Sequence, residues 1–280
     1  MATGSATTQG FGQARRAANS PAVAAAARAG FVARGVIYVL IGFLAVRIAF
    51  ADGGGKQADR GGAVAEIAEK PFGMVLLWLL GVALAGMSLW RLSEAAFGQA
   101  GPDGKKASKR VMAAGRCVFY GFVSYSVLSF AAGDKSSGGS SSDESSKDIT
   151  AMALDWPYGQ WIVAAAGIGV AAAGLWIAAR AVMRKYHKHL KLSELSARAR
   201  KAVDVFGVFG GTARGIVFAV AGGFAVTAAL QHEPGRAKGM DDTLRSFTET
   251  PAGPWLLVLV AVGLAAFGVF SWANARWRKV

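Results

Sequence analysis

The stretch Thr212–Val226 reads "TARGIVFAVAGGFAV", and Val32–Val46 reads "VARGVIYVLIGFLAV". Each stretch places an arginine just before an apolar run. About 16 apolar residues follow each arginine, which gives about 24 Å of helix against a hydrocarbon core of about 30 Å. The pattern therefore predicts membrane-spanning helices that begin upstream of Arg34 and Arg214. The arginines would then lie about one turn inside the membrane edge, with their side chains directed outward.

The composition is typical of a polytopic membrane protein. Of 280 residues, 53% are hydrophobic and only 17% are charged, which is unusual for a soluble domain. The formal charge of +14 could suggest nucleic-acid binding, but the basic residues flank apolar segments, so we expect no nucleic-acid partner. Cys117 is the single cysteine, which rules out an intrachain disulfide.

Six apolar stretches predict an all-α fold with six transmembrane helices. Loops on one side of these stretches carry 22 Lys and Arg residues and loops on the other side carry eight. The positive-inside rule then places both termini in the cytoplasm of a bacterial inner membrane. The polar segment 134–148 is expected to be flexible. The predicted helices cover Gly35–Phe50, Phe72–Trp90, Cys117–Ala132, Tyr158–Ala179, Gly215–Leu230 and Trp255–Ala273.

The first, third and fifth helices follow one pattern: arginine, small residue, aromatic residue, small residue. Glycines at the small positions favour close helix packing, and an aromatic four residues after the arginine permits a cation–π contact. The predicted packing glycines are Gly35, Gly42, Gly215 and Gly222; the middle copy has Cys117 and Ser124 instead. The arginines are Arg34, Arg116 and Arg214, and the aromatics are Tyr38, Tyr120 and Phe218.

The second helices also repeat. A proline, any residue and a glycine open each one, at Pro71, Pro157 and Pro251, and a short segment of helical periodicity precedes each proline. Trp90, Trp176 and Phe270 near the opposite ends are expected to lie at the membrane interface. Because each unit crosses the membrane twice, the three units are parallel, and we expect an approximate threefold axis along the membrane normal.

These repeats divide the chain into a cytoplasmic tail (1–26), three two-helix repeats (27–98, 99–186 and 203–280) and a basic cytoplasmic linker (187–202). The stretches "ARGVIYVLIGFLAVRIAF", "GRCVFYGFVSYSVLSFAA" and "TARGIVFAVAGGFAV", with their partner helices, resemble the bacterial membrane proteins of domain of unknown function 1206. The resemblance covers roughly 27–272. It implies three helix pairs and no established activity, substrate or cofactor.

Catalytic and metal sites are not expected. Neither Cys117 nor the serines have a histidine partner, and no Asp, Glu or His lies inside the six apolar stretches, which weakens a transporter function. His187 and His189 lie in a basic segment and are expected to be solvated. We therefore expect no enzyme activity, no cofactor and no metal.

Two functions remain open. The first is a non-enzymatic membrane protein that contacts lipids, a protein partner or a second copy of itself. The second is a channel or carrier for anions or small solutes, in which Arg34, Arg116 and Arg214 form a ring that contacts an anion or an anionic lipid. That second function requires Arg47, Ser129 and Thr227 to face the path. In the simplest alternative, the three arginines only anchor helix ends.

Overall fold

A computed structural model describes residues 20–50, 56–98, 106–134, 142–249 and 252–279. Helices account for most of these residues, and no strand occurs among them. The predicted tail residues 1–19 and Pro251 lie outside the described residues. The six long helices are α1 (Pro21–Phe50), α3 (Gly73–Phe97), α4 (Ala107–Ala131), α6 (Gly159–Val182), α7 (Ala197–Gln231) and α9 (Gly253–Trp277).

All six long helices have the length and hydropathy of membrane spans. Their outward faces carry large apolar side chains such as Val118, 73% exposed, and Trp161, 66% exposed. An all-helical surface this apolar fits a lipid environment, because an α-helix satisfies the backbone polar groups of its interior with its own hydrogen bonds. The protein is a multi-pass membrane protein, as the sequence predicted.

The arginine-bearing helices begin upstream of their arginines, as predicted. The starts at Pro21, Ala107 and Ala197 leave two to five turns of helix before each arginine. Helix α1 thus includes the end of the predicted tail 1–26, and α7 begins inside the predicted linker 187–202.

Three short helices lie at one end of the bundle, which we call the short-helix end: α2 (Arg60–Ala68), α5 (Ser142–Leu154) and α8 (Met240–Ser246). They confirm the short helices expected before each second span. The expectation of a flexible segment over 134–148 was wrong for residues 142–148, which form the start of α5. Asp143 and Glu144 in the first turn of α5 stabilise the start of this helix, because negative charges interact favourably with the positive end of the helix dipole. Packing against α8 adds tertiary contacts. Residues 135–141 lie outside the described residues.

Each long helix that follows a short one starts at a glycine packed against that short segment. A Cβ atom at Gly159 would lie 1.9 Å from the Ala153 carbonyl oxygen, and one at Gly253 would lie 2.1 Å from that of Thr248. At Gly73 the corresponding distance to the Ile67 carbonyl is 2.2 Å. Only glycine permits this close approach, so the repeated glycine sets the angle between short and long helix.

The closest helix pairs join different repeats: α1 with α9, α3 with α4, and α6 with α7. The predicted packing glycines lie in these contacts. A Cβ atom at Gly42 would lie 2.6 Å from the Ala261 carbonyl oxygen, and one at Gly215 would lie 2.6 Å from that of Gly174. Gly222 faces Gly167 and Ala171 in the same way, and Gly35 faces Trp272 and Gly268.

The middle copy uses polar contacts where the others use glycine. Ser124 Oγ donates to the Gly81 carbonyl at 2.8 Å, and Ser88 Oγ donates to the Cys117 carbonyl at 2.8 Å. Both bonds join α4 to α3. Hydroxyls thus replace the close glycine approach with hydrogen bonds between membrane helices.

The two-helix units themselves are not alike. Helices α1 and α3 pack together, as do α7 and α9, but α4 and α6 form no packed pair in the described part of the chain. The six helices therefore form an arc that is open between α4 and α6. The predicted threefold axis stays a prediction.

The other end of the bundle is the basic end, where the connection from α6 to α7 contacts the chain's last residues. Lys191 N donates to the Trp277 carbonyl at 2.9 Å, and Lys279 N donates to that of His189 at 2.9 Å. Trp90 and Phe270 are buried here, with 4% and 7% exposed, whereas Trp176 is 54% exposed. Tertiary packing therefore covers Trp90 and Phe270, while the interfacial position expected for the three aromatic residues stays a prediction.

Candidate functional site

An apolar cavity of about 550 Å³ occupies the concave side of the arc. Such a volume lies within the roughly 300–1,000 Å³ of ordinary small-molecule sites. Its α4 and α6 walls include Phe119, 49% exposed, and Ile162, also 49% exposed. Because these wall residues are accessible where α4 and α6 do not pack, the cavity communicates with the bundle's lateral surface. The short-helix end contributes Ile149, Thr150 and Met240 to its wall.

Arg34 enters the cavity from the middle of α1. Its Nε donates to Ser271 Oγ at 3.1 Å, and its Nη1 donates to the Tyr120 hydroxyl at 3.4 Å. The guanidinium also lies 4.8 Å from the Phe31 ring centroid. The predicted cation–π partner of Arg34 was Tyr38; Phe31 and Phe267 occupy that place instead. Contacts from three helices hold this cation inside the bundle.

Arg214 enters the same cavity from α7. Its guanidinium lies 5.2 Å from the Phe218 ring centroid, which confirms the predicted local cation–π contact in the third repeat. It also lies 4.9 Å from the Phe267 centroid, and Arg34 lies 5.2 Å from that ring. Phe267 thus contacts both guanidiniums. Arg214 Nε is buried without a hydrogen-bond partner.

Arg60 is a third cavity arginine, and the sequence analysis missed it. It begins α2, and its guanidinium lies 5.2 Å from the Phe119 ring centroid across the cavity. Burial lowers the pKa of Arg60 from its ordinary value, since desolvation disfavours the charged form. Arg60 is one of the eight basic residues that the sequence analysis assigned to the loops on the less basic side. The inward direction of its side chain depends on the placement of α2.

Arg116 does not line the cavity. Its Nη2 contacts Met112 Sδ at 3.2 Å within α4, while the cavity wall on that helix consists of Phe119, Tyr120 and Val123. The predicted contact of Arg116 with Tyr120 is replaced by that of Arg34 with Tyr120. Arg34 and Arg214 therefore meet at one cavity, and Arg60 joins them in place of Arg116.

The residues expected to face a solute path lie elsewhere. Among the described residues, the cavity wall includes neither Arg47 nor Ser129 nor Thr227. Arg47 is exposed beside Phe43, and Thr227 Oγ1 donates to the Gly223 carbonyl of its own helix at 3.0 Å. In the described part of the chain, the three residues that a channel would require along its path therefore do not line the cavity.

The charge of the cavity wall is entirely positive. Arg34, Arg60, Arg214 and Lys238 line it, and no carboxylate does so in the described segments. Within these segments, none of the three arginines has an ion-pair partner within 4 Å. Aromatic rings and hydroxyls only partly offset the cost of cations in an apolar space. An anion at this wall would compensate these positive charges.

A second charged cluster lies at the basic end, beside the cavity. Arg91 Nη1 and Glu94 Oε2 are 2.5 Å apart, with side chains 3% and 10% exposed. The Arg278 guanidinium lies 5.1 Å from the Phe31 ring centroid and 5.3 Å from that of Trp90.

The two histidines of the basic end differ from the solvated side chains that the sequence predicted. His187 is in contact with the carboxylate of Asp204. Burial and the nearby Arg278 lower the pKa of His189 to about 4, so it is neutral at pH 7.

The family profile of the Domain of Unknown Function (DUF1206) matches three segments of the chain, 29–98, 111–184 and 209–278. The chain belongs to the DUF1206 family. The chain is similar to "Uncharacterized protein YxxB" of Bacillus subtilis (strain 168), with 26% identity over 259 residues that cover 90% of this chain and 92% of the relative. No solved structure matches. The three matches confirm the three repeats and the resemblance noted from the sequence.

Proposed function

We propose that this DUF1206 protein binds a membrane amphiphile with an anionic headgroup, a carboxylate or a phosphate, in the cavity on the concave side of the arc. The observation that carries the proposal is an apolar cavity whose charged wall residues are all basic. The headgroup would contact Arg34, Arg60 and Arg214, and the hydrocarbon part would lie against the aliphatic wall.

The open side of the bundle supports entry from the membrane. Because α4 and α6 do not pack together, an amphiphile can pass between them without leaving the hydrocarbon region. A water-soluble anion would gain little from this wall. The missing contacts of Arg47, Ser129 and Thr227 with the cavity also favour binding over conduction.

We further propose that the basic end faces the bacterial cytoplasm, with both termini there, and that the protein has no catalytic activity. The first point rests on the positive-inside distribution of Lys and Arg. The second rests on the described residues near the cavity, among which no nucleophile is paired with a base: of the described polar side chains, Cys117 Sγ contacts that of Ser88, at 3.4 Å from its Oγ.

The test is native mass spectrometry of lipid adducts on the purified protein. Palmitate and phosphatidylglycerol are compared with hexadecanol and phosphatidylcholine, so the experiment separates carboxylate from phosphate binding. Replacing Arg34, Arg60 and Arg214 with glutamine should lower anionic adducts by at least about tenfold, because several charge-assisted hydrogen bonds are lost.

A control variant carries Arg47→Gln, Arg198→Gln and Arg276→Gln, which removes the same charge from exposed positions outside the cavity wall. It should retain anionic adducts. Circular dichroism and gel filtration show whether each variant folds. Equal adducts in both triple variants, or equal binding of palmitate and hexadecanol, would contradict the proposal.

A further inference from the structure

Three carboxylates from distant parts of the chain meet at the short-helix end. Asp143 begins α5, and Asp241 and Asp242 begin α8, with Asp143 and Asp242 99 positions apart. One oxygen from each lies within 4.8 Å of the other two. Asp143 and Asp241 are only 4% and 3% exposed. Carboxylates this close repel one another unless a cation or a proton compensates their charge.

Two of the three carboxylates have cationic partners. Asp241 Oδ1 accepts from Ala58 N at 2.6 Å, and its Oδ2 accepts from Arg245 Nε at 2.7 Å. Asp242 Oδ2 accepts from Lys147 Nζ at 2.8 Å. These bonds hold α8 against α5 and against the segment before α2. They also fix the positions of the carboxylates without neutralising all three.

Asp143 differs from the other two. Its Oδ1 accepts from the backbone N of Asp242 at 3.1 Å, which directs the carboxyl group into the cluster. Its Oδ2 is buried and has no hydrogen-bond partner in the described structure. Burial, together with the charges of Asp242, Asp241 and Asp59, raises the pKa of Asp143 to about 6. Buried acceptor oxygens in native proteins almost always have a partner, which can be a donor group, a water molecule or an ion.

We propose that Asp143, Asp241 and Asp242 bind a divalent cation of the hard type, Ca²⁺ or Mg²⁺. Carboxylate oxygens are the preferred ligands of these ions, and water completes their coordination. The cation would contact the unpartnered Asp143 Oδ2 and balance the third negative charge. This inference does not depend on the proposed amphiphile binding, because the cluster shares no residue with the arginine site.

A cation at this position would join α5 to α8. Ser146 and Thr150 of α5 and Gly239 and Met240 at the start of α8 line the cavity. The ion would therefore fix the part of the cavity wall at the short-helix end. The sequence alone could not indicate this site, because its ligands come from the first turns of two short helices that the fold brings together.

The test is thermal unfolding of the full chain in nonionic detergent with Ca²⁺ or Mg²⁺, compared with EDTA and with KCl at matched ionic strength. The divalent ions should raise the unfolding temperature in a concentration-dependent way, since a ligand of the native state stabilises it. Asp143→Asn retains an acceptor for Asp242 N but removes the charge. It should weaken the apparent affinity by at least about tenfold, because affinity follows the ligand charge.

Asp148→Asn provides the matched control, since it removes one exposed charge from the same helix. It should keep the wild-type response. Isothermal titration with CaCl₂ on the same three proteins gives a second measurement that does not depend on unfolding. No response of the wild-type protein beyond KCl would overturn the proposal. The same loss of affinity in both variants would also overturn it, because it would indicate unspecific attraction.

Discussion

The buried Arg91 forms its ion pair with one carboxylate, that of Glu94. Arg91 is 3% exposed, and its Nε has no hydrogen-bond partner, so Glu94 is the carboxylate that balances it. The pair lies under the aromatic cluster of the basic end, with Arg91 4.1 Å from the Trp90 ring centroid. Removing one member of a buried pair leaves an uncompensated charge.

We predict that Glu94→Gln lowers the free energy of unfolding by about 3–5 kcal/mol, because Arg91 remains buried without its counter-charge. Glu194→Gln is the control. It breaks the Lys191–Glu194 pair, which has the same i,i+3 spacing but side chains 41% and 53% exposed, so it should cost less than about 1 kcal/mol. Denaturation in mixed micelles measures both. Equal costs would show that Arg91 does not depend on Glu94.

At the level of elements, the repeated glycine after each short helix determines how short and long helices meet. At Gly159 an added Cβ would overlap the Ala153 carbonyl of α5, whereas at Gly169, ten residues later in α6, no atom lies within 4 Å. The same helix therefore contains a matched pair of positions, one crowded and one open.

Gly159→Ala should destabilise the protein by about 1–3 kcal/mol, since the backbone of α5 must move away. Gly169→Ala should be neutral or stabilising by up to about 1 kcal/mol, because alanine favours the helix. Thermal unfolding in detergent compares the two. Equal shifts would mean that the contact between α5 and α6 is not rigid.

The whole molecule combines strong packing between repeats with a gap inside the second repeat. Tight pairs between repeats use the same positions each time, glycine in two cases and hydroxyls at Ser88 and Ser124 in the third. The pairs within the repeats are not regular: α4 and α6 of the second repeat do not pack together, and this gap opens the cavity. The arc therefore has one closed side and one side that faces the surroundings of the bundle.

The proposed orientation of the whole molecule can be tested with single cysteines in a Cys117→Ala background. Asp148→Cys at the short-helix end should react with a membrane-impermeant maleimide in intact cells. Arg198→Cys at the basic end should react only after permeabilisation, because the basic end is expected to face the cytoplasm. Both positions are exposed. The reverse labelling pattern would invert the topology.

Residue pattern alone determined much of the architecture. Hydropathy and the repeated motifs around Arg34, Arg116 and Arg214 predicted six helices in three repeats. This was possible because membrane spans and close helix contacts depend on the residue types within each helix. The Pro-x-Gly starts predicted where the second helices begin. The regular spacing also predicted short helices before them, although it missed the first turns of α5.

Only the tertiary structure decided which charges share a site. The periodicity treated Arg116 as equivalent to Arg34 and Arg214, yet Arg60 joins their cavity because α2 directs it inward. Likewise, Asp143 and Asp242 meet across 99 positions. Local sequence patterns record the environment of one helix at a time, whereas a binding site depends on which helices become neighbours and where one pair fails to pack.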